Sequence, residues 1–173
     1  YYREHPYRLV APVARVQGEI LEVTTPEVLQ AVMEDLEQEG TVYRKGAAVG
    51  LSGYKVPLKP EERVLLERIE GAFRQGGMAP PLESEVCREV GASATVFGNL
   101  TGSLIEEGRL VRLAEKVTYH REHWEAVKGI VQEWLREKGR MTVGELRDRL
   151  GVSRKYAVAV LEYLDKIGVT RRE

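Results

Sequence analysis

The stretch LDKIGVTRR, residues 164–172, decides the fold, because the chain writes it three times. Its relatives are LEQEGTVYR at 36–44 and LIEEGRLVR at 104–112. Each has a Leu four residues before a Gly and an Arg four residues after it. A Gly that closes an amphipathic run ends a helix, since it alone takes positive φ at little cost. Gly40, Gly108 and Gly168 are therefore helix stops, each followed by a strand-like stretch led by Val42, Leu110 or Val169. Counting back 15 residues from each Gly reaches Thr25, Ser93 and Ser153. All three are good N-cap residues, whose side-chain oxygens can satisfy orphan backbone N–H groups. One helix of about 14 residues is thus repeated with matching start and stop.

A shorter helix precedes each cap, expected over Pro12–Leu21, Leu82–Val90 and Thr142–Leu150. The last two run into the cap alike, as Val90-Gly91-Ala92-Ser93 and Leu150-Gly151-Val152-Ser153. Helix, tight turn with Gly, helix is the helix-turn-helix signature. Longer amphipathic helices are predicted ahead of the second and third copies, over Pro60–Gln75 and His123–Lys138. In the first copy only Tyr1–Tyr7 stands in that place, as the end of such a helix. Hairpins are expected from TVYRKGAAVGLSGY after the first stop and RLVRLAEKVTYH after the second. The third copy stops part-way along its first strand, so its wing is expected to be incomplete.

The expected fold class is mainly α with small β-hairpins, as tandem winged-helix (helix-turn-helix) domains. The expected division is 1–58 (first helix truncated), 59–119, and 120–173 as the RNA-binding winged helix with a truncated wing. Domains of about 60 residues are marginal alone, so the copies should pack end to end. Tyr119-His120-Arg121 leaves almost no linker for anything else.

Composition narrows the function. The chain of 173 residues is 43% hydrophobic and 31% charged, which fits a globular protein. No apolar run approaches a membrane span, no leader-like start is evident, and a cytoplasmic setting is expected. The single Cys87 excludes an internal disulfide and reads as a small buried hydrophobe. The net charge of −1 is unevenly spread. Residues 1–58 carry 6 Lys/Arg against 8 Asp/Glu, residues 59–119 carry 8 against 10, and residues 120–173 carry 12 against 9. Only the last third has the sign that attracts phosphate.

The repeats act as internal controls. After the cap, the first copy has Pro26-Glu27, the second Ala94-Thr95 and the third Arg154-Lys155. Two cations at a helix start oppose the dipole by about 0.3–1 kcal/mol each, so a ligand is the natural return. This helix start is also where helix-turn-helix proteins reach nucleic acid. On a 100° wheel, Ala157, Val160, Leu161 and Leu164 form the buried stripe. Lys155, Ala159, Glu162 and Lys166 are expected to point away, with Arg154 on the flank near Val158 and Asp165. Lys155 suits one phosphate as a point charge, whereas Arg154 can present a planar fork to a base edge or phosphate pair. Tyr156 and Tyr163 read as residues of the core edge. Ser153 caps and leaves N–H groups for phosphate; Arg171 and Arg172 lead into the wing; Arg140, Arg147 and Arg149 extend the basic field.

The residues here carry a resemblance. Ser-Arg-Lys-Tyr at Ser153–Tyr156, Leu-Glu-Tyr-Leu-Asp at Leu161–Asp165 and Thr-Arg-Arg at Thr170–Arg172 resemble the last winged helix of the bacterial selenocysteine-specific elongation factors, the SelB family. YYREHPYR and YHREHW also resemble that family's C-terminal half, and the likeness covers essentially the whole chain as the last three of four winged helices. It implies an arm that binds the selenocysteine insertion hairpin of the mRNA, the final domain gripping the hairpin backbone and a flipped loop base. It further implies Ser153, Arg154, Lys155, Tyr156, Arg171 and Arg172 as the RNA-binding residues. No cofactor is expected in this segment; GTP, the ribosome and selenocysteyl-tRNA would be met by the full-length factor, and the arm would be a monomer. No Gly-rich phosphate loop of the Walker type is present, so no enzyme is expected here. His120 and His123 lack companions at metal-ligand spacing. Two other classes use the same fold, a DNA-binding transcriptional regulator and a protein–protein scaffold of tandem winged helices. A regulator would need a basic recognition helix in each reading domain, and two copies of three lack one.

Overall fold

The computed structural model describes all residues except Glu22, Arg172 and Glu173. It forms two compact units, Tyr1–Lys59 and Pro60–Glu173.

The first unit runs β1 (Val10–Pro12), α1 (Val13–Ile20), α2 (Pro26–Gln38), β2 (Val42–Lys45) and β3 (Ala48–Leu51). Pro26 starts α2, where its missing N–H is harmless, and the Thr25 hydroxyl accepts from the Val28 N–H. The strands form one antiparallel sheet in the order β1-β3-β2. Strand β1 is not legible in the sequence. Its three residues show no alternation and end in Pro12, and they become a strand only because β3 supplies partners, Val10 facing Gly50 and Ala11 facing Val49. Residues 1–7 form turns and not the expected end of a long helix: the N–H groups of Glu4 and His5 both bond the Tyr1 carbonyl, and the coil stops there. This unit buries little, with Leu29 as the one buried side chain of α2 and none on α1.

The second unit repeats the plan twice. Its elements are α3 (Pro60–Gln75), α4 (Glu83–Val90), α5 (Ala94–Glu106), β4 (Leu110–Ala114), β5 (Val117–His120), α6 (Arg121–Lys138), α7 (Val143–Leu150) and α8 (Arg154–Lys166). Gly40, Gly108 and Gly168 all stand at positive φ, between +72° and +74°, as the repeat requires. Thr142 and Glu145 form a reciprocal capping box at the start of α7, which fixes the turn leading into it.

The two repeats of this unit share a core. Val117 and Tyr119 of β5 join Trp124, Val127 and Val131 of α6, Leu146 of α7 and the inner face of α8, with Val111, Leu113 and Met78 packed against them. Polar contacts fasten the second hairpin to its own helices. Arg109 pairs with Glu70 of α3, and the Thr118 hydroxyl donates to Glu83 of α4 at 2.6 Å, where Arg112 also lies. The Arg109 guanidinium holds the Glu70 carboxyl below its ordinary range, with His120 and Arg74 adding to the effect. His123 sets Nε2 2.6 Å from the Arg74 carbonyl, which can only accept, so that nitrogen donates. Both histidines therefore serve the junction between repeats. Among the described residues, no cluster of three or more His, Cys, Asp or Glu side chains could hold a metal ion, and no helix is long and apolar enough to cross a membrane.

Candidate nucleic-acid interface

Helix α8 starts on Ser153, whose backbone is extended at φ −72° and ψ 157°. Its siblings Thr25 and Ser93 use their hydroxyls to cap, accepting from Val28 N–H at 3.5 Å and Val96 N–H at 3.3 Å. Ser153 makes no such bond; the Tyr156 N–H turns to the Ser153 carbonyl at 3.1 Å, so of the three sibling caps only this hydroxyl is left unused by its helix. Arg154 and Lys155 are both exposed on this first turn. The two cations diverge. Lys155 holds Nζ 4.5 Å from the centre of the Tyr156 ring, a cation–π contact that limits where its charge can lie. Arg154 turns to the other side and lines a groove of about 1000 Å³. Its floor includes Leu135, Val158 and Leu161, and its walls include Arg140 and Arg171. Three arginines from three separate stretches of chain thus border one concavity, with Glu145 and Asp165 as the acidic members. Asp165 is engaged by the Thr170 hydroxyl and Glu145 by its capping box, and Arg140 stands close enough to Glu145 to favour its charged form. Trp134 donates its indole N–H to the Arg140 carbonyl at 3.1 Å and so fixes the backbone at that wall.

The structure therefore brings Arg154 and Arg171 together, joins Lys155 to Tyr156, and places Ser153 at the common origin. Arg172 lies outside the described residues. Tyr156 is only 9% exposed, and its hydroxyl donates to the Pro80 carbonyl at 2.8 Å. Its ring face is covered, so it can steer Lys155 and anchor α8 but offers no open surface for a base. Tyr119 does the matching job from β5, donating to the Met78 carbonyl at 2.7 Å. Burial, with Tyr156 close by, holds its phenol far above the usual range, so it stays a donor. Tyr119 ties the loop 76–82 to the second repeat's own hairpin, and Tyr156 ties the same loop to the third repeat. Their spacing in sequence, 37 residues apart, gives no hint of a shared partner.

One expectation from the helical wheel is corrected. The wheel puts Ala159 on the outward face, but it is 5% exposed. The wheel assumes one core per repeat, whereas the β4–β5 hairpin of the second repeat packs on α8 and covers that side. The free face of α8 is thereby narrowed to its first turn and the groove side.

Comparison with known proteins follows the same lines. Residues 133–173 match the family model described as elongation factor SelB, winged helix. Along 172 residues the chain is 27% identical to the selenocysteine-specific elongation factor of Desulfomicrobium baculatum, covering 99% of this chain and 27% of that protein. It is 22% identical to the Escherichia coli K12 factor of the same name over 99% of this chain and 28% of that protein. The chain thus spans about a quarter of the length of the curated relatives it matches. Among solved structures, the mRNA-binding domain of elongation factor SelB from E. coli, in complex with SECIS RNA, aligns with a TM-score of 0.60 and 25% identity. That alignment covers 67% of this chain and 93% of the other. The chain resembles the C-terminal winged-helix arm of SelB, and the fold is that of tandem winged helices.

Proposed function

We propose that this chain is the mRNA-hairpin-binding arm of a selenocysteine-specific translation elongation factor. The observation that carries the proposal is the first turn of α8. It sets Arg154 and Lys155 beside an unengaged cap, while the equivalent turns of α2 and α5 carry no cation. The relatives' names and the RNA-bound neighbour support the same reading.

The chemistry follows from RNA geometry. The major groove of an A-form stem is too deep and narrow for a helix, so recognition falls on loops and bulges. The N–H groups and dipole of the α8 start accept one phosphate, and Lys155 adds a point charge beside it. Arg154 offers its fork to a splayed base edge or to a phosphate pair at the groove mouth, with Arg171 and Arg140 behind it. Tyr156 supports this by holding Lys155 in place. The final repeat grips the hairpin backbone and a flipped loop base, and Arg172 extends the contact. In such a factor GTP binding, selenocysteyl-tRNA and ribosome contacts belong to the longer protein. The arm itself acts as a monomer in the cytoplasm, with no cofactor and no catalytic step.

Titration of a labelled RNA hairpin with an unpaired loop base, beside a DNA duplex of equal length, tests the proposal. Saturable binding to the hairpin and much weaker binding to the duplex is expected. Equal, weak binding to both would remove the RNA reading and favour a scaffold.

A further inference from the structure

The first unit, whose net charge looks unpromising, separates its charges in space. Seven of the eight Asp/Glu residues in 1–58 fall between 19 and 39, on or beside α1 and α2. Residues 40–59, which hold the β2–β3 hairpin, contain Arg44, Lys45, Lys55 and Lys59 and no acid at all. Arg44 pairs with Glu37 of α2, and Glu4, the eighth acid, stands between Tyr2 and His5; the hairpin segment itself holds more cations than acids.

Aromatic rings gather on this basic end. Tyr2 stacks on Tyr54 with centroids 4.3 Å apart and ring planes 27° from parallel. Tyr1 meets Tyr2 edge-on at 5.7 Å, and His5 lies 4.5 Å from Tyr1. Tyr43 stands close enough to Tyr2 to influence it electrostatically. Its ring lies flat across the backbone at Gly50, its partner in the β2–β3 register, where an added Cβ would come within 2.5 Å of the ring. Only glycine leaves room for that posture, and the posture turns the outer face of the ring to solvent, with 38% of the residue exposed. The second hairpin supplies the contrast. It has Glu115 at its turn, and its one aromatic, Tyr119, is wholly buried.

An exposed ring held flat, with Arg44 and Lys45 next to it in sequence and no acid within 40–59, is an arrangement that stacks bases of an unpaired strand. We propose that the Tyr43 face of the β2–β3 hairpin, with the Tyr1–Tyr2–Tyr54 cluster and Lys45 and Lys55, is a second RNA contact that stacks unpaired nucleotides without reading their sequence. A protein partner is disfavoured by the charge, which calls for a polyanion. The choice of RNA rests on the function proposed above.

The test uses the 173-residue chain carrying Arg154→Ala and Lys155→Ala, so that the start of α8 contributes nothing, and labelled dodecauridine as probe. Saturable binding is expected, weakened about 5- to 100-fold by Tyr43→Ala and kept by Tyr43→Phe. Lys45→Gln with Lys55→Gln should flatten the logarithmic salt slope by about 0.7 for each phosphate no longer neutralised. Circular dichroism checks that Tyr43→Ala is folded; should it unfold, the exposed lysine pair decides. No saturable binding, binding indifferent to these changes, or preference for a glutamate-rich peptide would each overturn the proposal. The hairpin titration with unaltered α8 stands or falls separately.

Discussion

Helices α5 and α8 are 13 residues each, begin on a serine, and end before a glycine at positive φ. They occupy equivalent places in adjacent repeats of one compact unit. Yet α5 begins Ala94-Thr95 and caps itself with Ser93, whereas α8 begins Arg154-Lys155 and leaves its cap unengaged. The comparison separates what the scaffold needs from what a ligand needs. The scaffold needs the inner stripe and the glycine stop, which both helices keep. Cations at the first turn work against the dipole, and the contact they give the scaffold is the Lys155–Tyr156 cation–π pair.

The largest effects should fall on what the helices share. Leu104 of α5 and Leu164 of α8 hold the same repeat position and are fully buried. Leu104→Ala and Leu164→Ala should each cost about 2–5 kcal/mol in denaturant unfolding, because each opens a cavity in a packed core. Leu36→Ala, at the same position in the half-buried α2, should cost clearly less. Equal destabilisation at all three positions would mean that burial does not distinguish the repeats.

Next come the first turns themselves. Arg154→Ala should lower hairpin affinity by about 1–3 kcal/mol and relax preference for the loop base, while Thr95→Ala changes nothing. Lys155→Ala should mainly flatten the salt dependence, by about one unit of slope. If Arg154→Ala and Thr95→Ala behave alike in an RNA titration, the difference between α5 and α8 is not about RNA.

The hairpin that α5 feeds and α8 leans on depends on Glu70. Its carboxyl is held below the ordinary 4.5 chiefly by Arg109, so its contribution to folding is complete above that pH. The contribution disappears as pH falls from 4.5 through the depressed folded-state value. Glu70→Gln should cost about 1–3 kcal/mol near neutrality and make the acid limb of the stability profile shallower. A profile unchanged in that window would show the pair to be idle. The smallest contrast is in the caps. Ser93→Ala should cost about 1 kcal/mol of thermal stability, and Ser153→Ala close to nothing, since only Ser93 bonds its helix.

Much of this is legible in residue order. Caps, glycine stops and 3.6-residue stripes are local, so the helix limits agree within a residue or two for α3, α4, α5, α7 and α8. The outlying charge pair Arg154-Lys155 is visible because the repeats provide their own baseline. What escapes a linear reading is non-local. Strand β1 exists only through its pairing with β3. The burial of Ala159 comes from a neighbouring repeat, and the hydroxyl of Tyr156 finds its acceptor 76 residues away. The aromatic, basic end of the first unit vanishes in a charge sum that adds its acidic helices to its basic hairpin.

The sequence by itself determined the repeat, the limits of most helices and the one start among the three sibling helices that carries two cations, because each is set by residues within about one helical turn. Only the tertiary structure decided which side of that helix remains free. Packing of one repeat's hairpin on the next repeat's helix buries Ala159 and Tyr156 and leaves Arg154 at a groove with Arg140 and Arg171. That outcome depends on distances between segments far apart in the chain, which no local pattern encodes.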